Sequence, residues 1–172
     1  MEKQKRPRKA KSESGDMKLL KECLGQYYRA RLRRKQLENR LQEIRQEMMN
    51  PISGVSYGAK KNRPTNQAGL GAANLVFRKS EYETRIEEQR KESEKALLLV
   101  MDIFDFLDMN SDERMVLELR YIDNREWNDI SKEAHMSRSV CFCKKEAGLK
   151  KLLAFDGVKI ILHRYQEAKQ IQ

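Results

Sequence analysis

A short basic stretch holds the residues with the clearest chemistry. Ser137, Arg138, Ser139, Phe142, Lys144, Lys145 and Lys150 follow one another at spacings that put them on one helix. Hydroxyl, guanidinium and ammonium groups are the side chains that bond phosphate oxygens and base edges. Ser137 is a good N-cap, because its hydroxyl can accept a free backbone N–H of the next turn. Arg138 suits a bidentate contact to guanine, and Phe142 offers an apolar contact such as a thymine methyl group would make. Val140, Cys143 and Ala147 recur at helical spacing and are expected to form the inward face. Upstream, Trp127, Ile130 and Ala134 define a shorter helix, with His135 and Met136 as the turn. The pattern predicts a helix-turn-helix, whose second helix enters the DNA major groove.

The stretch LELRYI, then REWNDISKEAHMSRSV, then KEAGLKKL resembles region 4 of bacterial sigma factors. It is closer still to small proteins of phages and mobile elements of Gram-positive bacteria, including late-gene regulators of the RinA and ArpU type. Arg120, Tyr121, Ile122, Trp127, Ile130 and Ser137 carry the signature. Ser131 stands where the family has Ala, and His135 where it has a turn Gly; such turns often need positive φ, which His tolerates better than most residues. The resemblance implies an all-α protein in which a long antiparallel helical hairpin precedes a region-4-like DNA-binding domain. It implies double-stranded DNA as partner and control of phage or mobile-element genes as function. RNA polymerase is the partner in a second reading, as an accessory factor without a promoter-melting region. A third reading is a helical adaptor with a vestigial helix-turn-helix.

The rest of the chain must position that stretch. Charged residues make up 36% of its 172 residues, with 3 Pro and 8 Gly, a helical profile with exposed faces. The net charge of +10 is uneven: about +8 in residues 1–50, about zero in 51–109 and about +2 beyond. Residues 1–15 are basic and lack the apolar groups to fold alone, so a disordered arm is expected. Residues 16–49 read as one helix capped by Asp16, its seam running Leu20, Cys23, Tyr27, Ala30, Arg34, Leu37, Leu41, Ile44 and Met48. Only Arg34 interrupts it. Residues 50–66 are the expected connecting loop. Residues 67–107 form a second helix with a stripe from Ala72 through Tyr82, Ile86, Ala96 and Val100 to Leu107. Together residues 16–109 make the hairpin, 110–155 the helix-turn-helix domain and 156–172 a last short helix after a break at Asp156 and Gly157.

Several classes are expected to be absent. His135 and His163 have no surrounding catalytic constellation, so no enzyme, cofactor or metal site is predicted. Cys141 and Cys143 sit two apart, about 200° round a helix, and would not share one ion. An odd count of 3 cysteines suits a reducing compartment, the bacterial or phage-infected cytoplasm. No apolar run is long enough for a membrane span. Leu19, Leu24, Tyr28 and Leu32 lie beside the first seam and Leu97, Leu98 and Leu99 run round the second helix, a width that suggests a homodimer.

Overall fold

The computed structural model describes residues 14–50 and 66–170, with backbone alone for 66–72. Among these residues every regular element is a helix: α1 (Gly15–Leu24), α2 (Gln26–Met49), α3 (Asn66–Phe104), α4 (Asp112–Tyr121), α5 (Trp127–Glu133), α6 (Arg138–Ala154) and α7 (Asp156–Gln170). Residues 1–13 of the expected arm and 51–65 of the expected loop lie outside the described residues. No helix among the described residues is long and apolar enough to cross a membrane.

The chain divides into two compact units, residues 26–99 and residues 1–25 with 100–172. This differs from the expected boundaries at 16–109 and 110–155. The helix expected over 16–49 is two helices. Ser14, not Asp16, caps the first, its hydroxyl accepting the Met17 N–H at 3.4 Å. Gly25 ends it, and α1 then packs against α6 and α7. The seam runs on through Gly25 without a change of phase, so the sequence carries no periodicity signal for the break. A lone Gly costs a helix only about 1 kcal/mol, and docking of α1 outweighs that.

In the unit of residues 26–99, α2 and α3 run antiparallel. Arg45 Nη2 lies 3.1 Å from Glu83 Oε1, and Arg78 Nη1 lies 3.8 Å from Glu47 Oε2, so rising numbers on α2 meet falling numbers on α3. The expected seams are covered along most of their length, with Met48 at the end of the first exposed. Ala30, Leu41, Ile44, Ser93 and Ala96 are buried, and Tyr27, Leu37, Tyr82 and Ile86 half-buried. Arg34 stays on its own helix, with Nε 3.3 Å from Glu38 Oε1. It therefore makes its ion pair within α2.

The other unit is built around α6, which contacts α1, α4, α5 and α7. Ser111 caps α4 through the Arg114 N–H, with Asp112 and Glu113 in the first turn, where carboxylates suit the helix dipole. Arg114 is buried and ties the end of α3 to α4. Its guanidinium donates to Glu118 Oε1 at 2.7 Å and Asp105 Oδ1 at 2.9 Å, with a longer contact of 3.4 Å to the Leu107 carbonyl. The expected break between α6 and α7 is present but falls one residue earlier than Asp156 and Gly157. The extended residue is Phe155, and Asp156 and Gly157 open α7. Gly157 is needed for close approach, since a Cβ there would sit 2.6 Å from the Phe106 ring.

Candidate nucleic-acid interface

Three helices hold the stretch. Val116 and Leu119 of α4, Ile130 of α5 and Cys141 of α6 form one buried cluster, with Met115, Trp127 and Met136 against it. The turn between α5 and α6 is short. Ala134 ends α5, His135 takes φ 52°, and the Met136 N–H bonds the Ser131 carbonyl at 3.0 Å. The positive φ expected of this turn is present. Ser131 also locks it, its hydroxyl donating to the Met136 carbonyl at 2.5 Å. That bond gives the Ser at this position a structural purpose an Ala could not serve.

The signature residues do structural work. Arg120 Nη1 donates to the Arg125 carbonyl at 3.0 Å, closing the link before α5, and its guanidinium lies 5.3 Å from the centre of the Trp127 ring. Asn124, in that link, has φ 53°. Ile130 is fully buried. Ser137 caps α6, accepting the Val140 N–H at 3.4 Å.

The inward face of α6 is not the expected one. Cys141, Gly148, Leu149 and Leu152 are buried, whereas Val140 is 41% exposed and Cys143 is also exposed. A face set by Val140, Cys143 and Ala147 is about 150° out of phase with the observed one. The run Val140-Cys141-Phe142-Cys143 is apolar all round, so it gives no phase; Leu149 and Leu152 further on carry that signal. Gly148 allows α4 to come close, since a Cβ there would meet Leu117 Cδ1 at 2.8 Å and Glu113 Cβ at 3.1 Å.

The expected contact residues fall into two groups. Ser137, Arg138, Ser139 and Lys150 are exposed. Ser137 and Ser139 share a hydroxyl–hydroxyl bond of 3.0 Å. Arg138 and Lys150 have no ion pair among the described residues. The others make contacts within the fold, although Phe142 keeps 39% of its surface exposed. Phe142 stacks on Trp127 with ring centres 4.0 Å apart. Lys145 lies 5.7 Å from both ring centres and 2.9 Å from Glu146 Oε1. Lys144 Nζ is 2.9 Å from Asp112 Oδ2 and 3.6 Å from Glu113 Oε1, and Lys151 Nζ is 3.2 Å from Glu113. The acidic start of α4 therefore balances part of the basic surface of α6. The sequence shows both charge groups but not that they meet.

Glu113 ionises more readily than usual, chiefly through backbone hydrogen bonding at the start of α4, with Lys151 and Lys144 adding to the effect. Glu146 is lowered too, first by its bond to Lys145 and then by Lys21 of α1. Each carboxylate has a folded pKa below its ordinary value of 4.5. The unfolded chain therefore binds protons first, and the stabilisation is complete above about pH 5 and lost as pH falls through the folded values. The thermal midpoint is expected to be flat from pH 7 to 5 and to fall below pH 4.5. Glu113→Gln should lower the midpoint at pH 7 and make its fall in acid shallower; an unchanged slope would assign the effect to other carboxylates.

Cys141 and Cys143 face opposite ways, one buried and one exposed. Among the described residues there is no group of three or more His, Cys, Asp or Glu side chains that could hold a metal ion. Comparison with family models, curated proteins and solved structures finds no match to the chain.

Proposed function

We propose that this protein is a sequence-specific binder of double-stranded DNA and a regulator of transcription, with α5, the His135 turn and α6 acting as a helix-turn-helix of the sigma region 4 kind. The observation that carries the reading is the first turn of α6. Ser137, Arg138 and Ser139 stand exposed there, Arg138 is uncommitted, and the opposite face is anchored to α4 and α5. A helix held by its back and open at its N-terminal turn is the arrangement such domains present to base edges. The resemblance carried by Arg120, Trp127, Ile130 and Ser137 supports the same reading.

Contacts within the fold bear on which side chains we propose for each role. Phe142 is held by Trp127, so the apolar contact to a thymine methyl passes to Val140 and Cys143. Lys144 and Lys145 are engaged with carboxylates, which leaves Lys150 as the phosphate contact. A homodimer would present two such domains to a palindromic site. The apolar surface that suggested one is reduced, because Leu24 is buried and Leu19 half-buried beside α6 and α7, while Tyr28, Leu32 and Leu98 remain exposed.

Selection of bound fragments from random duplex DNA tests the proposal and yields the preferred site. Arg138→Ala should then weaken binding to that site by about 1–3 kcal/mol more than to random DNA. Lys150→Ala should weaken both alike and lower the salt slope by about 0.9. Equal losses on every sequence for both variants would remove Arg138 from base reading. Recovery of no preferred site would remove the sequence-specific function.

A further inference from the structure

The helix α2 carries a row of cations that helix stability does not explain. Arg29, Arg33, Gln36 and Arg40 follow at spacings of four, three and four, which places them along one face. Elsewhere in residues 26–99 many basic side chains have an acid. Arg34 pairs with Glu38, Arg45 with Glu83, Arg78 with Glu47, Arg85 with Glu81 and Arg90 with Glu94. Arg33 and Arg40 are exposed and have no such partner among the described residues.

These two arginines also line a cleft. It has a volume of about 290 Å³, and its walls are Arg33, Gln36 and Arg40 on α2 and Arg85, Glu88 and Gln89 on α3. Arg33 and Arg40 bring two guanidinium groups without an acidic partner among the described residues to this concave surface, where Arg85 is already paired with Glu81 and Glu88 is the one carboxylate of the lining. Such a cleft concentrates positive potential more than a convex surface of the same charge. All three cations are arginine, whose planar fork matches the oxygens of phosphate. Arg33 and Arg40 stand roughly 10 Å apart along the helix axis. That suits a polyanion with repeated phosphates better than a single small anion.

We propose that this row is a second DNA-binding surface, which holds the phosphate backbone of duplex DNA without regard to sequence. It goes beyond the reading of α6 and does not depend on it. Arg31 and Lys35 serve as the internal control. They are exposed on the same helix, but Arg31 is about 200° round from Arg33 and away from the cleft.

The test uses the full chain and a random-sequence duplex, with affinity measured over a range of salt. Arg33→Gln with Arg40→Gln removes two charges, and glutamine retains helix propensity; circular dichroism checks that helicity is kept. The expected result is that the slope of log K against log salt falls by roughly 2. Arg31→Gln with Lys35→Gln removes the same net charge and should change the slope by less than half as much. Equal changes in the two double variants would overturn the proposal, since net charge alone would explain them. No change in the first variant would also overturn it. So would an unchanged DNA slope with lost binding to phosphatidylserine vesicles, which would make the row a lipid contact. The Arg138→Ala comparison is read from site preference, not salt slope, so either surface can fail alone.

Discussion

Ile130→Ala is expected to destabilise the unit around α6 by about 2–5 kcal/mol, the usual range for truncating a buried isoleucine. The upper half of that range applies. Ile130 is fully buried and belongs to the cluster that joins α4, α5 and α6 through Val116, Leu119 and Cys141. The cavity would lie where three helices meet, and α5 has only 7 residues with which to close it. Urea denaturation followed by circular dichroism should show a lower midpoint with an unchanged slope, the sign of lost stability without a change in exposed surface. Ile130→Val, which removes one methyl group, should cost about 0.5–1.5 kcal/mol. DNA binding should fall with the folded fraction and be restored at lower temperature. A loss under 1 kcal/mol for the alanine variant would show that the cluster does not set the stability of this unit.

The second large effect is expected at Trp127. Truncation of a buried aromatic to Ala costs about 3–5 kcal/mol, and the half-exposure of Trp127 puts it at the lower end. The change also releases Phe142, Lys145 and Arg120, which all meet the Trp127 ring. These contacts run from the last turn of α4 to the second turn of α6. Their loss should loosen the angle at which α6 is held and weaken specific DNA binding beyond the loss of stability. A double-mutant cycle with Phe142→Ala isolates the stack, for which about 0.5–1.5 kcal/mol of coupling is expected. Trp127 is the sole tryptophan, so its fluorescence reports the stack directly, and Phe142→Ala should shift its emission. Coupling near zero would mean that Phe142 is free to act elsewhere and could return as a base contact.

The stack and the ion pairs together occupy much of the charge and apolar surface of α6. Lys144, Lys145 and Lys151 are partly neutralised by Asp112, Glu113 and Glu146. Arg138 at one end and Lys150 nearer the other remain for a partner. Non-specific attraction by α6 is therefore smaller than its composition suggests, which leaves a role for the Arg33 and Arg40 row in general affinity for DNA.

The sequence by itself determined the local features. Ser111 and Ser137 cap helices because their hydroxyls bond N–H groups only three residues away. The three-four stripes of α2 and α3 were legible because a helix paired along its length needs one apolar face. The positive φ at His135 was legible because the turn between two helices has few conformations to choose from.

The tertiary structure decided which face met which partner. The phase of α6 was ambiguous over Val140 to Cys143, where four consecutive residues could each have faced the core, and Leu149 and Leu152 alone marked it; Leu117 and Glu113 of α4 packing over Gly148 fixed it. The break at Gly25 followed from the docking of α1 on α6 and α7, surfaces more than a hundred residues away in sequence. Phe142, Lys144 and Lys145 found partners within the fold for the same reason: a side chain's type sets what it can bind, and its neighbours in space set whether it is already bound.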